Sequence, residues 1–190
     1  MTDAVFDACM SRICNGDKNA LHEIYEEYLP YIYSVVLTIV GSKENAEDIT
    51  SDFFIKLWTG SDKYKPGTGH KGYMATIARN MAIDFLRKHK NETLISEFEQ
   101  TGDEDAADLS TAATMQLAEN SVTPEDEVID DMALADALNT LKPAEREVIN
   151  LKIMGDMAFR EIADILGKPM GTVTWLYREA INKLRRYGYE

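Results

Sequence analysis

The sequence predicts an all-α protein of two small helical domains, an N-terminal helical bundle and a C-terminal helix-turn-helix domain, joined by a long acidic flexible linker. Three observations carry this reading. Apolar residues recur at helical spacing between Leu21 and Phe85 and again between Leu141 and Leu184. Residues 91–137 hold 14 acids and no Lys or Arg, with little apolar periodicity before about Val128. The chain has 190 residues, 45% of them hydrophobic, which suits one large or two small domains with real cores. The expected divisions are 1–90, 91–133 and 134–190.

In the first domain the pattern before Leu21 is uninformative. Leu21, Ile24, Tyr25, Tyr28, Leu29, Ile32, Val35, Val36 and Ile39 then form a helical stripe interrupted by Pro30 and stopped by Gly41. Ser42 is placed to cap a second helix that points Ala46, Ile49, Phe53 and Leu57 inward and presents Asp48, Ser51, Asp52 and Ile55 outward. Pro66 and two glycines break the segment from Ser61 to Gly69, which carries Lys63, Tyr64 and Lys65. A third helix, from about Lys71 to Lys90, buries Met74, Ile77, Ala78, Met81 and Phe85, while its opposite arc carries Arg79, Asn80, Arg87 and Lys90.

In the last domain Pro143 opens a helix containing Val148, Ile149 and Ile153 and ending by Gly155. Phe159, Ile162, Ala163 and Leu166 form a second, with Gly167 where a left-handed cap would sit. Pro169, Met170 and Gly171 make the turn, and Thr172 is placed to cap a third helix with Val173, Leu176, Tyr177, Ala180 and Leu184 inward. Helix, tight turn and helix at this spacing describe a helix-turn-helix, whose second helix exposes Thr174, Trp175, Arg178, Asn182 and Lys183.

The formal net charge is −13, yet the imbalance sits in one place. Residues 60–90 carry seven bases against two acids, and 168–186 carry five bases against Glu179 alone. The acidic total therefore does not exclude nucleic-acid binding by the domains on either side. A basic helix face beside a loop holding an aromatic and two lysines can neutralise phosphates while a ring stacks on an unpaired base. On charge alone an ordinary solvated face is the favoured explanation, and a helix-turn-helix also occurs as plain helical packing.

Other classes find little support. No stretch reaches the roughly 18 uninterrupted apolar residues of a membrane span, and the N-terminus lacks the basic start and apolar run of a secretion signal. Cys9 and Cys14 have no histidine near in sequence to complete a metal pattern, and two reduced thiols near a helix end agree with a cytoplasmic protein. The only histidines are His22, His70 and His89, and no nucleophile paired with a base and no phosphate-cradling glycine loop is evident, so neither an enzyme nor a cofactor is expected.

Over about residues 20–90 and 134–186 the sequence resembles the two-domain bacterial sigma factors of the extracytoplasmic-function (ECF) group. The residues that carry this are Ala46-Glu47-Asp48-Ile49 with Phe54 and Trp58, then Tyr73 to Asn80 continued by Asp84, Leu86, Arg87 and Lys88. In the second domain they are Leu141, Pro143, Arg146, Glu161-Ile162-Ala163, Leu166-Gly167 and Gly171-Thr172-Val173. The resemblance implies a non-enzymatic specificity subunit that binds core RNA polymerase and directs it to promoter DNA. The helix bearing Asp48, Ser51, Asp52, Ile55 and Trp58 would grip the β′ clamp. Lys63, Tyr64, Lys65, Tyr73, Arg79, Asn80, Arg87, Lys88 and Lys90 would open the −10 element, an everted base entering the loop from Tyr64 to Gly72. Thr172, Thr174, Trp175, Arg178, Asn182 and Lys183 would face the −35 element, with the second domain resting on the β flap. Many members are restrained by an anti-sigma protein wedged between the domains, and the linker would thread the RNA-exit path.

The sequence departs from the family where Tyr73 replaces a usual tryptophan, Ser51 a frequent glutamine, and Thr174, Leu176, Glu179 and Ile181 usually basic positions. Either the −35 motif is unusual, with Trp175 touching thymine methyls, or this domain leans more on polymerase than on DNA. The rival reading is a stand-alone helix-turn-helix regulator, which explains residues 134–186 and gives the first domain no role.

Overall fold

The computed structural model describes residues 1–67, 69–98, 138 and 140–186, with 91–98 as backbone only. Among the described residues there are seven α-helices and no strand: α1 (Asp3–Cys14), α2 (Lys18–Val40), α3 (Lys43–Thr59), α4 (His70–Phe98), α5 (Pro143–Ile153), α6 (Phe159–Leu166) and α7 (Met170–Arg186). A single 3₁₀ turn, Ser61–Lys63, follows α3.

Helix α1 lies in the stretch that looked uninformative. Phe6, Cys9, Met10 and Ile13, at i, i+3, i+4 and i+7, are all buried. Helix α2 starts at Asp17, whose carboxylate accepts the Asn19 N–H at 2.9 Å, and runs unbroken through Pro30. A proline inside a helix costs about 3 kcal/mol. Ile24, Tyr28, Tyr31, Ile32, Val35 and Val36 are all buried along α2, each contributing roughly 1.5–3 kcal/mol. Burial wins over the proline, which sits on the exposed side. Ser42 caps α3 as expected, accepting the Asn45 N–H at 3.4 Å.

Helix α2 is central, packing against α1, α3, α4 and α5. The two helical modules are in contact: one apolar cluster runs from Phe6 and Ile32 through Val148 and Leu151 to Ile162 and Val173. Helix α5 makes this possible because it buries two faces. Val148 and Leu151 join the large cluster, while Ile149 packs with Leu141 and Ala180 in a small one of its own. On the first face Asn150 donates from Nδ2 to the Ser34 carbonyl at 2.7 Å and to Thr38 Oγ1 at 2.6 Å, both on α2.

Two boundaries differ from the sequence reading. Helix α4 begins at His70 and continues to Phe98, so the first eight residues assigned to the linker prolong the helix. The rest of the expected linker, with most of its acids, lies outside the described residues. Helix α7 begins at Met170, which puts Thr172 inside the first turn and not at the cap. The Pro169 carbonyl accepts the Thr172 and Val173 N–H groups at 2.9 and 3.2 Å, so the chain turns helical directly after the proline. Gly167 has φ +61°, the left-handed geometry expected at the end of α6.

The helix-turn-helix is braced by an ion pair. Glu145 on α5, 1% exposed, takes the Lys183 ammonium of α7 at 2.7 and 2.8 Å and also accepts the Lys142 N–H at 2.9 Å. Burial pushes the Glu145 carboxyl up, but Lys183 and the Lys142 N–H more than offset this and hold it below the ordinary range. Lys183→Ala leaves that carboxylate buried without its cation and is expected to destabilise the fold by about 3 kcal/mol in chemical denaturation. Because the folded carboxyl titrates below its unfolded value of 4.5, the contribution is present above that pH and is lost as pH falls through the lowered value. The Lys183→Ala variant should therefore show a shallower acid-side loss of stability than the parent.

Candidate nucleic-acid interface

Three surfaces carry the residues singled out in the sequence. The first is built by α4 and the loop before it. Asn80, Arg87 and Lys88 are exposed on α4 and Lys90 is half-buried, while Lys63 and Lys65 project from the loop. Arg87 lies 3.7 Å from Asp84 one turn away, an exposed pair worth little. Helix spacing put these side chains on one face because the other face is committed to Met74, Ala75, Ala78 and Ala82, all fully buried.

Tyr64 and Arg79 stand differently from expectation. The Tyr64 ring is buried, edge-on to Phe6 and Tyr73 with centroids at 5.4 and 4.9 Å, and its hydroxyl donates to Asp7. A ring enclosed by α1 offers no face to a base. Arg79 donates from Nε to Glu147 of α5 at 2.9 Å, both side chains being largely covered. In this conformation it faces the second module and not solvent. Tyr73 is half-buried at the start of α4.

Beside the loop lies an open groove of about 550 Å³. Lys63, Lys65, Gly72, Tyr73 and Thr76 form one wall, and Glu161, Asp164 and Ile165 of α6 form the other. The loop cations thus face carboxylates of the second module across a space large enough for a nucleobase.

The second surface is the outer face of α7. Thr172, Trp175, Arg178 and Asn182 are exposed, Trp175 to 55%. Arg185 and Arg186 at the end of α7 and Lys168 before it are exposed too, and they add charge to the same motif. Two residues expected here are otherwise engaged. Lys183 is bound to Glu145, and the half-buried Thr174 donates its hydroxyl to the Met170 carbonyl at 2.9 Å. The remaining face combines an indole, a guanidinium and an amide at i, i+3 and i+7, which suits base edges and thymine methyls in a major groove.

The third surface is on α3. Asp48, Ser51, Asp52 and Ile55 are all exposed, Ile55 to 61%, whereas Trp58 is half-buried against the core. A bare aliphatic rimmed by carboxylates suits an apolar and cationic protein partner better than a phosphate backbone. Among the described residues no cluster of His, Cys, Asp or Glu could hold a metal, and no helix is long and apolar enough to cross a membrane. Cys9 is buried and Cys14 exposed, both as free thiols.

Comparison with known proteins finds a sigma-70 segment in each helical module. Sigma-70 region 2 matches residues 24–92, which contain the α3 and α4 surfaces. Sigma-70 region 4 matches residues 131–184, which contain α5, α6 and all but the last two residues of α7. Among curated relatives, the ECF RNA polymerase sigma factor SigW of Bacillus subtilis is 29% identical over 184 residues, covering 93% of this chain and 95% of its own. BldN of Streptomyces coelicolor, also an ECF RNA polymerase sigma factor, is 27% identical over 176 residues, covering 90% of this chain, which spans only 61% of BldN. In fold the chain is similar to the sigma factor RpoE of Bartonella quintana, solved with the anti-sigma factor NepR, at TM-score 0.64 and 23% identity over 87% of this chain and 94% of that one. It is also similar to CnrH, solved with the cytosolic domain of CnrY, at TM-score 0.61 and 17% identity over 96% of each chain. With both sigma-70 regions in order, together over more than half its length, and full-length relatives of one kind, the chain belongs to the ECF RNA polymerase sigma factors.

Proposed function

We propose that this chain binds core RNA polymerase through α3, recognises promoter DNA with α4 and α7, and so directs transcription initiation, acting in the cytoplasm as a non-enzymatic specificity subunit. The observation that carries the reading is the pair of exposed cationic helix faces borne by different modules, with a separate acid-rimmed apolar surface on α3. Helix α4 with its loop takes the −10 element and α7 the −35 element. Melting without a nucleotide fuel requires that unstacked bases gain contacts elsewhere, and the groove between Lys63, Lys65 and Tyr73 supplies charge, an aromatic edge and room. The partners are core RNA polymerase, promoter DNA and, as for RpoE solved with an anti-sigma factor, a protein that restrains the factor.

Promoter engagement in this scheme requires the modules to part. Glu161 and Asp164 face the groove that a phosphate backbone must approach, and Arg79 is held by Glu147. Like charges there would repel the strand, so the free chain binds DNA weakly and polymerase, by holding the modules apart, unmasks the α4 surface.

Three experiments test this. Purified chain alone should bind promoter duplex weakly, with tight binding appearing only when core polymerase is added. A stand-alone regulator would bind equally well without it. In the reconstituted holoenzyme, Arg87→Ala and Lys88→Ala should each lower DNA affinity and reduce the slope of log affinity against log salt by about 1. Separately, Glu147→Arg puts two guanidiniums opposite each other and should expand the free chain in small-angle scattering while raising its affinity for single-stranded DNA about tenfold. An unchanged radius and affinity would reject the masked state.

A further inference from the structure

Helix α1 lies before both matched sigma-70 segments, yet it makes the contacts that shape the loop leading into α4. Its residues Asp3, Phe6 and Asp7, at i, i+3 and i+4, form one stripe. Asp7 accepts the Tyr64 hydroxyl on one oxygen and the Gly67 N–H at 3.2 Å on the other. Asp3 accepts both the backbone N–H of His70, at 3.3 Å, and its ring Nδ1. On its other side the ring Nε2 hydrogen-bonds with the Tyr28 hydroxyl, which fixes the ring to α2. Phe6 stacks on His70 with centroids 4.9 Å apart and meets Tyr64 edge-on. One turn of α1 thus fastens the two ends of the loop, Tyr64 and His70, and its middle.

The loop needs this help. Gly67 and Gly69 have φ of +78° and +81°, a region that costs glycine nothing sterically but leaves many conformations to be lost on ordering. Pro66 removes one backbone donor, and Lys63 and Lys65 project outward and give the loop no apolar anchor. A strand entering the neighbouring groove would have to pay that ordering cost unless the protein already has. The hydrogen bonds from His70 hold the Asp3 carboxyl below the usual carboxylate range, and burial pushes the Tyr64 phenol up, so Asp3 stays an acceptor and Tyr64 a donor at neutral pH.

We propose that Asp3 and Asp7 are positioning residues for recognition of the unpaired −10 base: they preorganise the Tyr64–His70 loop through Tyr64, Gly67 and His70 without touching DNA. The inference rests on the reading of that loop as the capture site. It assigns Tyr64 a supporting role under the loop in place of stacking on the base.

The test uses the full chain reconstituted with core RNA polymerase and a premelted promoter-length duplex whose exposed −10 strand is randomised, bound strands being sequenced. Asp7→Ala is expected to weaken binding about tenfold and flatten the base preference, with polymerase binding unchanged. Tyr64→Phe keeps the buried ring and deletes only the hydroxyl; it should weaken binding in the parent and add nothing in Asp7→Ala, the signature of one shared contact. If Asp7→Ala and Tyr64→Phe bind and select like the parent while Lys63→Ala with Lys65→Ala weakens binding, the positioning role is overturned and the capture loop stands. If the double lysine variant also behaves like the parent, the capture loop itself fails and the inference with it. Losses that merely track lost holoenzyme assembly or a lowered melting temperature also overturn the proposal, because a structural role would leave the base preference of the surviving complexes intact.

Discussion

The burial of α2 is the constraint on which the rest of the molecule depends. A helix with Ile24, Tyr28, Tyr31, Ile32, Val35 and Val36 all buried must be covered along the whole length of that face. Helices α1, α3 and α4 cover part of it, and α5 covers what remains. That last contact joins the two modules, and several polar groups inside it are paired, Asn150 with Ser34 and Thr38, and Arg79 with Glu147, while the buried Tyr31 hydroxyl finds no hydrogen-bond partner among the described residues. Paired polar groups of this kind add specificity to an interface more than strength, which is what a contact that must later open requires.

The same packing decides which charged groups remain free for nucleic acid. Arg79, Lys183 and Thr174 sit on helix arcs that point away from their own cores, yet each finds a partner within the protein. Asn80, Arg87, Lys88, Trp175, Arg178 and Asn182 do not lie against a neighbouring helix and stay exposed. The interface is smaller than the list of basic and polar candidates, and it gains Lys168, Arg185 and Arg186 at the ends of the recognition motif.

Much of the fold was legible from local pattern. Ser42 as a cap, Pro143 at a helix start, Gly167 in the left-handed position and the inward stripes of α3 and α6 all follow from rules that act within a turn or two. Helix α1 carries an equally regular stripe, Phe6, Cys9, Met10 and Ile13, and could have been found by the same count. Acidic and small residues interrupt it, and the family's motif strings begin later in the chain. The end of α4 at Phe98 was hidden for another reason: Asn91 to Phe98 has no breaker to stop a helix, but its composition resembles the acidic stretch beyond.

By itself the sequence determined the all-α class, the order of helices, the placement of basic faces on two separate modules and the family, because periodicity, caps and motif strings are local properties. Only the tertiary structure decided that the modules touch, that Tyr64 lies under α1, that Arg79 and Lys183 are bound to carboxylates, and that Asp3 and Asp7 hold a loop about sixty residues away. These are pairings between residues far apart in the chain. No spacing rule encodes which helix a side chain meets once several apolar stripes compete for the same core.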